Sequence, residues 1–253
     1  MKISIVTISF NQGKFLKQCI DSVLSQDAAN LEYIIVDPGS TDESRDLIDS
    51  YGAKIKKIYK SDNGPAEGLK NGFNIATGNI YGFINADDYL LPGALKKVQY
   101  FFAQNKLKAF VSGNGFILSG DSSFKEIRSG VMSKFSCAYG TCTIFQQSTF
   151  FPAAFYKKVG GFNVDNKTCW DAELFIDFIL SRYKHINIKE NLAVFRIHSE
   201  SISGSGKLLQ SYDYDRKKLF KKIMKRNFYF FDFLLSFFLR LIKKIISIYD
   251  EKK

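Results

Sequence analysis

The chain has 253 residues, 45% of them hydrophobic, and carries 36 Lys and Arg against 25 Asp and Glu for a formal net charge of +11. That composition excludes a disordered chain and admits one α/β domain with a sizeable core plus an appendage, with anionic partners favoured by the charge. Two His and four Cys without a CxxC pair argue against a structural zinc site, and no uncharged run reaches the ~18–20 residues needed to cross a bilayer.

Ile3 to Phe10 reads as a first strand, and the opening Lys2-Ile3-Ser4-Ile5-Val6 is too short for the apolar region and cleavage site of a signal peptide. Phe15, Leu16, Cys19, Ile20, Val23 and Leu24 recur at helical spacing. Leu31 to Val36 is a second strand ending at Asp37, and Ser40 with Glu43 has the spacing of a capping box. Ile55 to Tyr59 is a third strand. Asn63-Gly64-Pro65 breaks the chain before a helix over 66–76. Ile80 to Asn85 is a fourth strand, Pro92 opens a helix to about Gln104, and Ala109 to Ser112 is a fifth strand. Strict β-α alternation predicts a doubly wound, mostly parallel sheet flanked by helices. After Gly113 the alternation fails. A hairpin or irregular insertion is expected over 115–131, a short helix over 152–159 stopped by Gly160-Gly161, a helix over 170–181, and strands at 186–188 and 192–197. The Ser/Gly-rich stretch 199–206 is a boundary, dividing a domain over 1–206 from a basic helical tail over 207–253.

Asp87 and Asp88 stand side by side at the end of the fourth strand. Ligands of open α/β sheets bind beyond the carboxyl ends of strands, and adjacent carboxylates there repel unless a cation lies beside them. A hard divalent ion carrying phosphates suits that position; a solvated turn is the bland alternative. Asp37 ends the second strand, where a carboxylate accepts hydrogen bonds from a base or ribose or simply shapes a turn. Asp171 begins a helix, where the macrodipole alone would stabilise it.

Together, Ser4-Ile5-Val6-Thr7-Ile8-Ser9-Phe10-Asn11, Ser22-Val23-Leu24-Ser25-Gln26, Val36-Asp37-Pro38-Gly39-Ser40-Thr41-Asp42, Asn85-Ala86-Asp87-Asp88 and Trp170-Asp171-Ala172-Glu173-Leu174 resemble family 2 glycosyltransferases over roughly residues 3–203. The resemblance implies a GT-A fold and an inverting transfer of sugar from a nucleotide-sugar, with UDP the expected carrier. It implies that Ser9 and Phe10 line the base, that Asp37 binds it, and that Asp87 contacts ribose or metal. Asp88 would coordinate Mn²⁺ or Mg²⁺ on the diphosphate, with His198 of Arg196-Ile197-His198 helping. Asp171 would be the general base. Gln146-Gln147 would touch the acceptor. Pro38 departs from the family pattern and removes a backbone donor near the base. Asn63, where many relatives carry a basic residue, also departs; base and sugar identity stay open. Competing readings are a sugar nucleotidyltransferase, for which Phe10-Asn11-Gln12-Gly13 lacks the phosphate loop, and a non-catalytic basic protein binding nucleic acid or carbohydrate.

On one continuous helix over 218–247, Lys218, Lys222, Lys225, Tyr229, Asp232, Ser236, Arg240, Lys243 and Ser247 form a polar stripe, and aromatic and aliphatic residues fill the rest. A broad apolar face with a basic stripe suits a helix lying on anionic lipid; the alternative is burial against a partner subunit, making a homo-oligomer. Nucleic acid is not the expected partner, because the basic residues concentrate in the tail and not on an aromatic platform. The expected enzyme is cytoplasmic and peripheral on the inner membrane face. It builds surface polysaccharide on a glycan acceptor carried by a lipid.

Overall fold

Apolar runs without strict alternation fold here as strands covered on both faces. In the computed structural model, which describes residues 1–28, 30–120, 123–199 and 209–250, β1 (Ile3–Ile8) lies between β2 (Leu31–Val36) and β4 (Ile80–Asn85), parallel to both. The register sets Ile8 opposite Val36 and Asn85. β3 (Lys56–Ile58) pairs parallel with β2. Alternate residues of each strand feed two cores. Val6, Ile34, Val36 and Phe83 face one with α3 (Pro65–Ile75); Ile5, Tyr33, Ile35 and Ile84 face the other with α1 (Gly13–Leu24) and α4 (Ala94–Asn105). Between them, α2 (Ser44–Ser50) follows β2. The expected capping box at Ser40 does not form. The Ser40 hydroxyl donates to Asp37, and Asp42 instead receives the amides of Ser44 and Gly13.

The second half of the sheet is mixed. The sheet order is β3-β2-β1-β4-β8-β6-β9-β5, with β7 on β6. β5 (Tyr89–Leu90) is a short strand antiparallel to β9. The fifth predicted strand runs on as β6 (Ala109–Leu118), and β7 (Phe124–Ile127) folds back on it, the expected hairpin. β8 (Thr149–Pro152) enters antiparallel between β4 and β6. The two late strands are one, β9 (Lys184–Arg196), parallel to β6 across a bulge near Asn114. α5 (Lys134–Ala138), α6 (Ala153–Val159) and α7 (Trp170–Leu180) complete this half. Gly160, at φ +87°, ends α6 in the left-handed conformation that its lack of a Cβ permits.

The single tail helix is two: α8 (Leu209–Met224) and α9 (Phe230–Asp250). The break lies at Lys225, whose φ of +59° no helix tolerates. The tail packs on the body. Leu219, Phe220 and Ile223 are buried in the first core. Lys222 bridges from α8 to Glu173 (2.8 Å) and Asp177 (2.6 Å) of α7. Arg226 grips Asp232 with both terminal nitrogens (2.6 and 2.7 Å), and Tyr139 donates to the same carboxylate. The polar stripe of α9 therefore turns inward at Asp232 and Ser236, while Arg240 and Lys243 reach the body from exposed positions. Asp232 and Ser236 hold Tyr139, Arg240 lies over Gly140, and Lys243 reaches Thr143. The apolar face points out, with Phe230 and Phe231 about three-quarters exposed (75% and 74%) and Phe237, Phe238, Ile242 and Ile245 also exposed.

Candidate active site

Parallel pairing brings the carboxyl ends of β1, β2 and β4 to one edge, so the loops after Ile8, Val36 and Asn85 are neighbours. The first two are stitched together. The Asn11 amide donates to Ser40 Oγ and the Thr41 amide to Asn11 Oδ1, both at 2.8 Å. Ser9 is buried and its hydroxyl has no partner among the described residues. Phe10 is 57% exposed. A buried hydroxyl without a bond beside an exposed ring is what a ligand would complete.

Asp37 is fully buried. Its Oδ1 accepts from the Gly39 and Ser40 amides and from Arg45 Nε (3.0 Å), and its Oδ2 from the Ser40 hydroxyl. Most of its capacity thus shapes the loop. Arg45, stacked on Tyr59 at 4.6 Å, is a partner that the sequence does not announce. A second acidic group stands at the end of the neighbouring strand. Asp62, in the loop after β3, caps its own turn by accepting from the Gly64 amide. A Cβ on Gly68 would come within 2.8 Å of its carboxylate. Burial, then repulsion from Glu67 and Asp37, pushes its carboxyl up. Asp-Asn-Gly ahead of a Pro-initiated helix at a strand end was the signal.

The adjacent aspartates divide. Asp88 turns inward, 1% exposed. Its Oδ1 accepts the Arg196 amide (2.9 Å), and its Oδ2 accepts Gln147 Nε2 (2.9 Å) and Asn85 Nδ2 (3.2 Å). Burial and the neighbouring Asp87 push its carboxyl well above the ordinary range. These three bonds tie β4, the Gln146–Ser148 turn and β9 together around Asp88, the residue that the family resemblance sets on a metal. Asp87 is the outward one. Its Oδ2 lies 3.1 Å from His198 Nε2, and its carbonyl accepts Arg196 Nη1 at 2.8 Å. Arg196 stacks on Phe15, and the His198 ring packs 4.7 Å from the same phenyl. The structure therefore brings Asp87 and His198 together. Among the described residues no cluster of three His, Cys, Asp or Glu forms a metal cage. A carboxylate and an imidazole fit a Mn²⁺ or Mg²⁺ that takes its other ligands from phosphate and water.

Asp171 stands apart from this group, on a second wall. Its position follows from Trp170, which packs 5.7 Å from Phe83 of β4 and 5.6 Å from Phe162. Asn166 holds the first turn of α7 by accepting the Thr168 and Cys169 amides while donating to Glu173. Asp171 faces a cavity of about 550 Å³ whose lining includes Gln146, Thr168, Phe175 and, from the tail, Tyr212, Arg216 and Arg240. It accepts the Ala172 amide at 2.7 Å and its own backbone amide, and burial pushes its carboxyl up. A carboxylate at a cavity wall with its pKa raised toward neutrality is a serviceable proton acceptor. Gln146, expected on the acceptor, lines the same cavity, whereas Gln147 is spent on Asp88.

The profile of the family described as Glycosyl transferase family 2 matches residues 4–155. An uncharacterised glycosyltransferase of Nostoc sp. is 38% identical over 106 residues, which is 40% of this chain and 33% of that protein. The uncharacterised glycosyltransferase EpsJ of Bacillus subtilis is 30% identical over 117 residues, 45% of this chain and 33% of its own. The matched part thus spans about a third (33%) of these curated relatives. Among solved structures, S. aureus TarS superposes with a TM-score of 0.69 at 16% identity, over 90% of this chain and 66% of that one. The mannosyltransferase PcManGT from Pyrobaculum calidifontis, in complex with GDP-Man and Mn²⁺, gives 0.68 at 14% identity over 96% and 69%. The shared fold is GT-A: one curled, mostly parallel sheet flanked by helices.

Proposed function

The chain belongs to glycosyl transferase family 2, and from that membership we propose that it moves a sugar, with inversion, from a UDP-sugar to a hydroxyl of a glycan acceptor. The observation that carries the reading is the pairing of two walls. One wall is a strand-end edge with a Ser9 hydroxyl that has no partner among the described residues and the outward Asp87–His198 pair; the other is the cavity lined by Asp171, linked to β4 by Trp170 against Phe83 and by Gln146 donating to the Phe83 carbonyl. Ser9, Phe10, Asp37 and Asp62 hold the base and ribose. A divalent ion between Asp87, His198 and the diphosphate would neutralise the charge on the departing nucleoside diphosphate. Asp171 removes the proton of the acceptor hydroxyl as its oxygen attacks the anomeric carbon from the face opposite the diphosphate. The bond to the diphosphate breaks and its electrons leave on that group, so one configuration is inverted.

The acceptor is a glycan on a lipid anchor, and the enzyme works on a membrane during surface polysaccharide synthesis. Support comes from α9, whose outward face is apolar, with Lys217, Lys218, Lys221, Lys225 and Lys244 exposed around it. That is the charge complement of an anionic leaflet. Among the described residues no helix is long and apolar enough to cross a membrane. A donor screen reading nucleoside diphosphate release in Mn²⁺ and Mg²⁺ tests the chemistry. Release from at least one UDP-sugar supports it; no UDP binding under either ion overturns it. Cosedimentation with phosphatidylglycerol vesicles, reduced by Ser at Phe231, Phe237 and Phe238, tests the surface.

A further inference from the structure

We propose that the cavity beside Asp171 is built for an acceptor bearing a phosphate group, and that Arg216 and Arg240 of the tail helices bind that phosphate. This rests on the glycosyltransferase reading and names the acceptor class. Asp171 supplies the carboxylate of the cavity wall, against two guanidiniums; the remaining lining side chains, such as Met132, Ser136, Cys142 and Gln146, are neutral. Arg216 is only partly neutralised. It touches Asp213 through one nitrogen at 3.2 Å, and Asp213 also serves Lys217 at 2.6 Å. Its plane is set by Phe228, 5.1 Å from the ring centre.

Arg240 has no carboxylate within ion-pair distance among the described residues. Its guanidinium lies against the Gly140 backbone, where a Cβ would meet Nη2 at 2.3 Å. Gly140 also sits at φ +63°, so both the turn and the arginine's seat require glycine. Lys243, on the same face of α9, adds a third cation at Thr143. Planar guanidiniums held by packing and left short of anions match the tetrahedral oxygens of a phosphate, which accepts bidentate bonds. Arg240 lines the cavity from α9 while remaining exposed to solvent, and Phe237, Phe238 and Leu241 of the same helix are exposed as well, so a phosphate joining a sugar to a lipid would meet the guanidinium and the apolar side chains together. A soluble sugar phosphate offers the same anion without the chain.

The lone tryptophan, Trp170, adjoins Asp171 and gives a fluorescence readout. The protein with UDP and Mn²⁺ is titrated with decyl phosphate, decyl glucoside, glucose 1-phosphate and glucose. Saturable binding of both phosphates but neither neutral partner, weakened about tenfold or more in Arg240→Gln and in Arg216→Gln, supports the proposal. Arg240→Lys should recover part of the affinity. Tighter binding of decyl phosphate than of glucose 1-phosphate assigns the phosphate to a lipid anchor; equal binding assigns it to a soluble one. Neutral and phosphorylated partners binding alike, or both glutamine variants binding like the unaltered protein, would overturn it. A UDP titration of the unaltered protein stands apart: its failure sinks the glycosyltransferase reading, whatever the phosphates do.

Discussion

The two walls of the site hold their carboxylates in opposite ways. On the edge proposed for the donor, Asp37 and Asp88 sit at parallel-strand ends and are bonded from several directions by amides and side chains. On the wall proposed for the acceptor, Asp171 starts a helix and, among the described residues, accepts only nearby backbone amides. Strand-end loops converge on one edge whatever their sequence, so a binding surface there can be made rigid early. A base must stay underbonded to take a proton, and its position has to be imposed from outside. Here aromatic packing on Trp170 and the grip of α8 on Glu173 and Asp177 impose it.

The sharpest break in that comparison is Asp171→Asn. Transfer should fall about 10²–10⁴-fold, with UDP affinity little changed. Because burial raises the Asp171 carboxyl, its ionised form destabilises the fold at neutral pH, and that cost disappears as pH falls below the ordinary carboxylate range. The Asn variant should therefore melt no lower than the unaltered protein at pH 7. A lower melting temperature there would show that the carboxylate is structural. The acid limb of transfer should also lie higher in pH than an ordinary carboxylate would set it.

Next in size is Phe220→Ala, which removes a fully buried ring between α8 and the core and should cost about 3–5 kcal/mol in denaturant unfolding. If α8 positions the acceptor wall, the folded fraction should bind UDP normally and transfer poorly. Equal loss of both would merge the two walls into one unit.

Within the donor side, Asp87→Ala should weaken Mn²⁺-dependent UDP binding about tenfold or more, with His198→Ala acting in the same direction. Asp88→Ala should instead cost stability, about 1–3 kcal/mol, because it strands the Arg196 amide and Gln147. Calorimetric UDP titration with and without Mn²⁺ separates them. A loss of metal dependence confined to Asp88→Ala would assign the metal to Asp88.

The smallest effect belongs to Glu32, buried on β2. Against the upward push of burial, Lys56, Ser4 and Thr77 hold its carboxyl far below the usual range, with Lys2 also in contact. Its folded pKa is depressed, so its stabilisation is present at neutral pH and lost only as pH falls through that depressed value. Glu32→Gln should lower stability at pH 7, the gap closing in strong acid, the reverse of Asp171→Asn. Parallel curves at all pH would remove the ion pairs from the account.

The donor half was legible because its signals are local. Unbroken runs such as Tyr33-Ile34-Ile35-Val36 mark strands covered on both faces, and the aspartates follow at their ends. The different surroundings of Asp87 and Asp88 were not legible, since they depend on Arg196 and Gln147 arriving from far along the chain. The tail misled for a related reason. Asp232, Ser236, Arg240 and Lys243 do share a stripe, but a polar stripe faces whatever offers it hydrogen bonds, and here that is Tyr139, Gly140 and Thr143. The break at Lys225 left no Pro or Gly to announce it.

The clasp of Lys222 on Glu173 and Asp177 also sets an order in time. During synthesis the strand-built donor side emerges first and can close on itself. The α7 segment, whose start Asn166 already holds, then waits for α8, tens of residues later, before Glu173 and Asp177 gain their cation. Under the proposed function, a nascent chain would bind nucleotide before its acceptor wall was complete, so a half-made enzyme would not spend donor on the wrong hydroxyl.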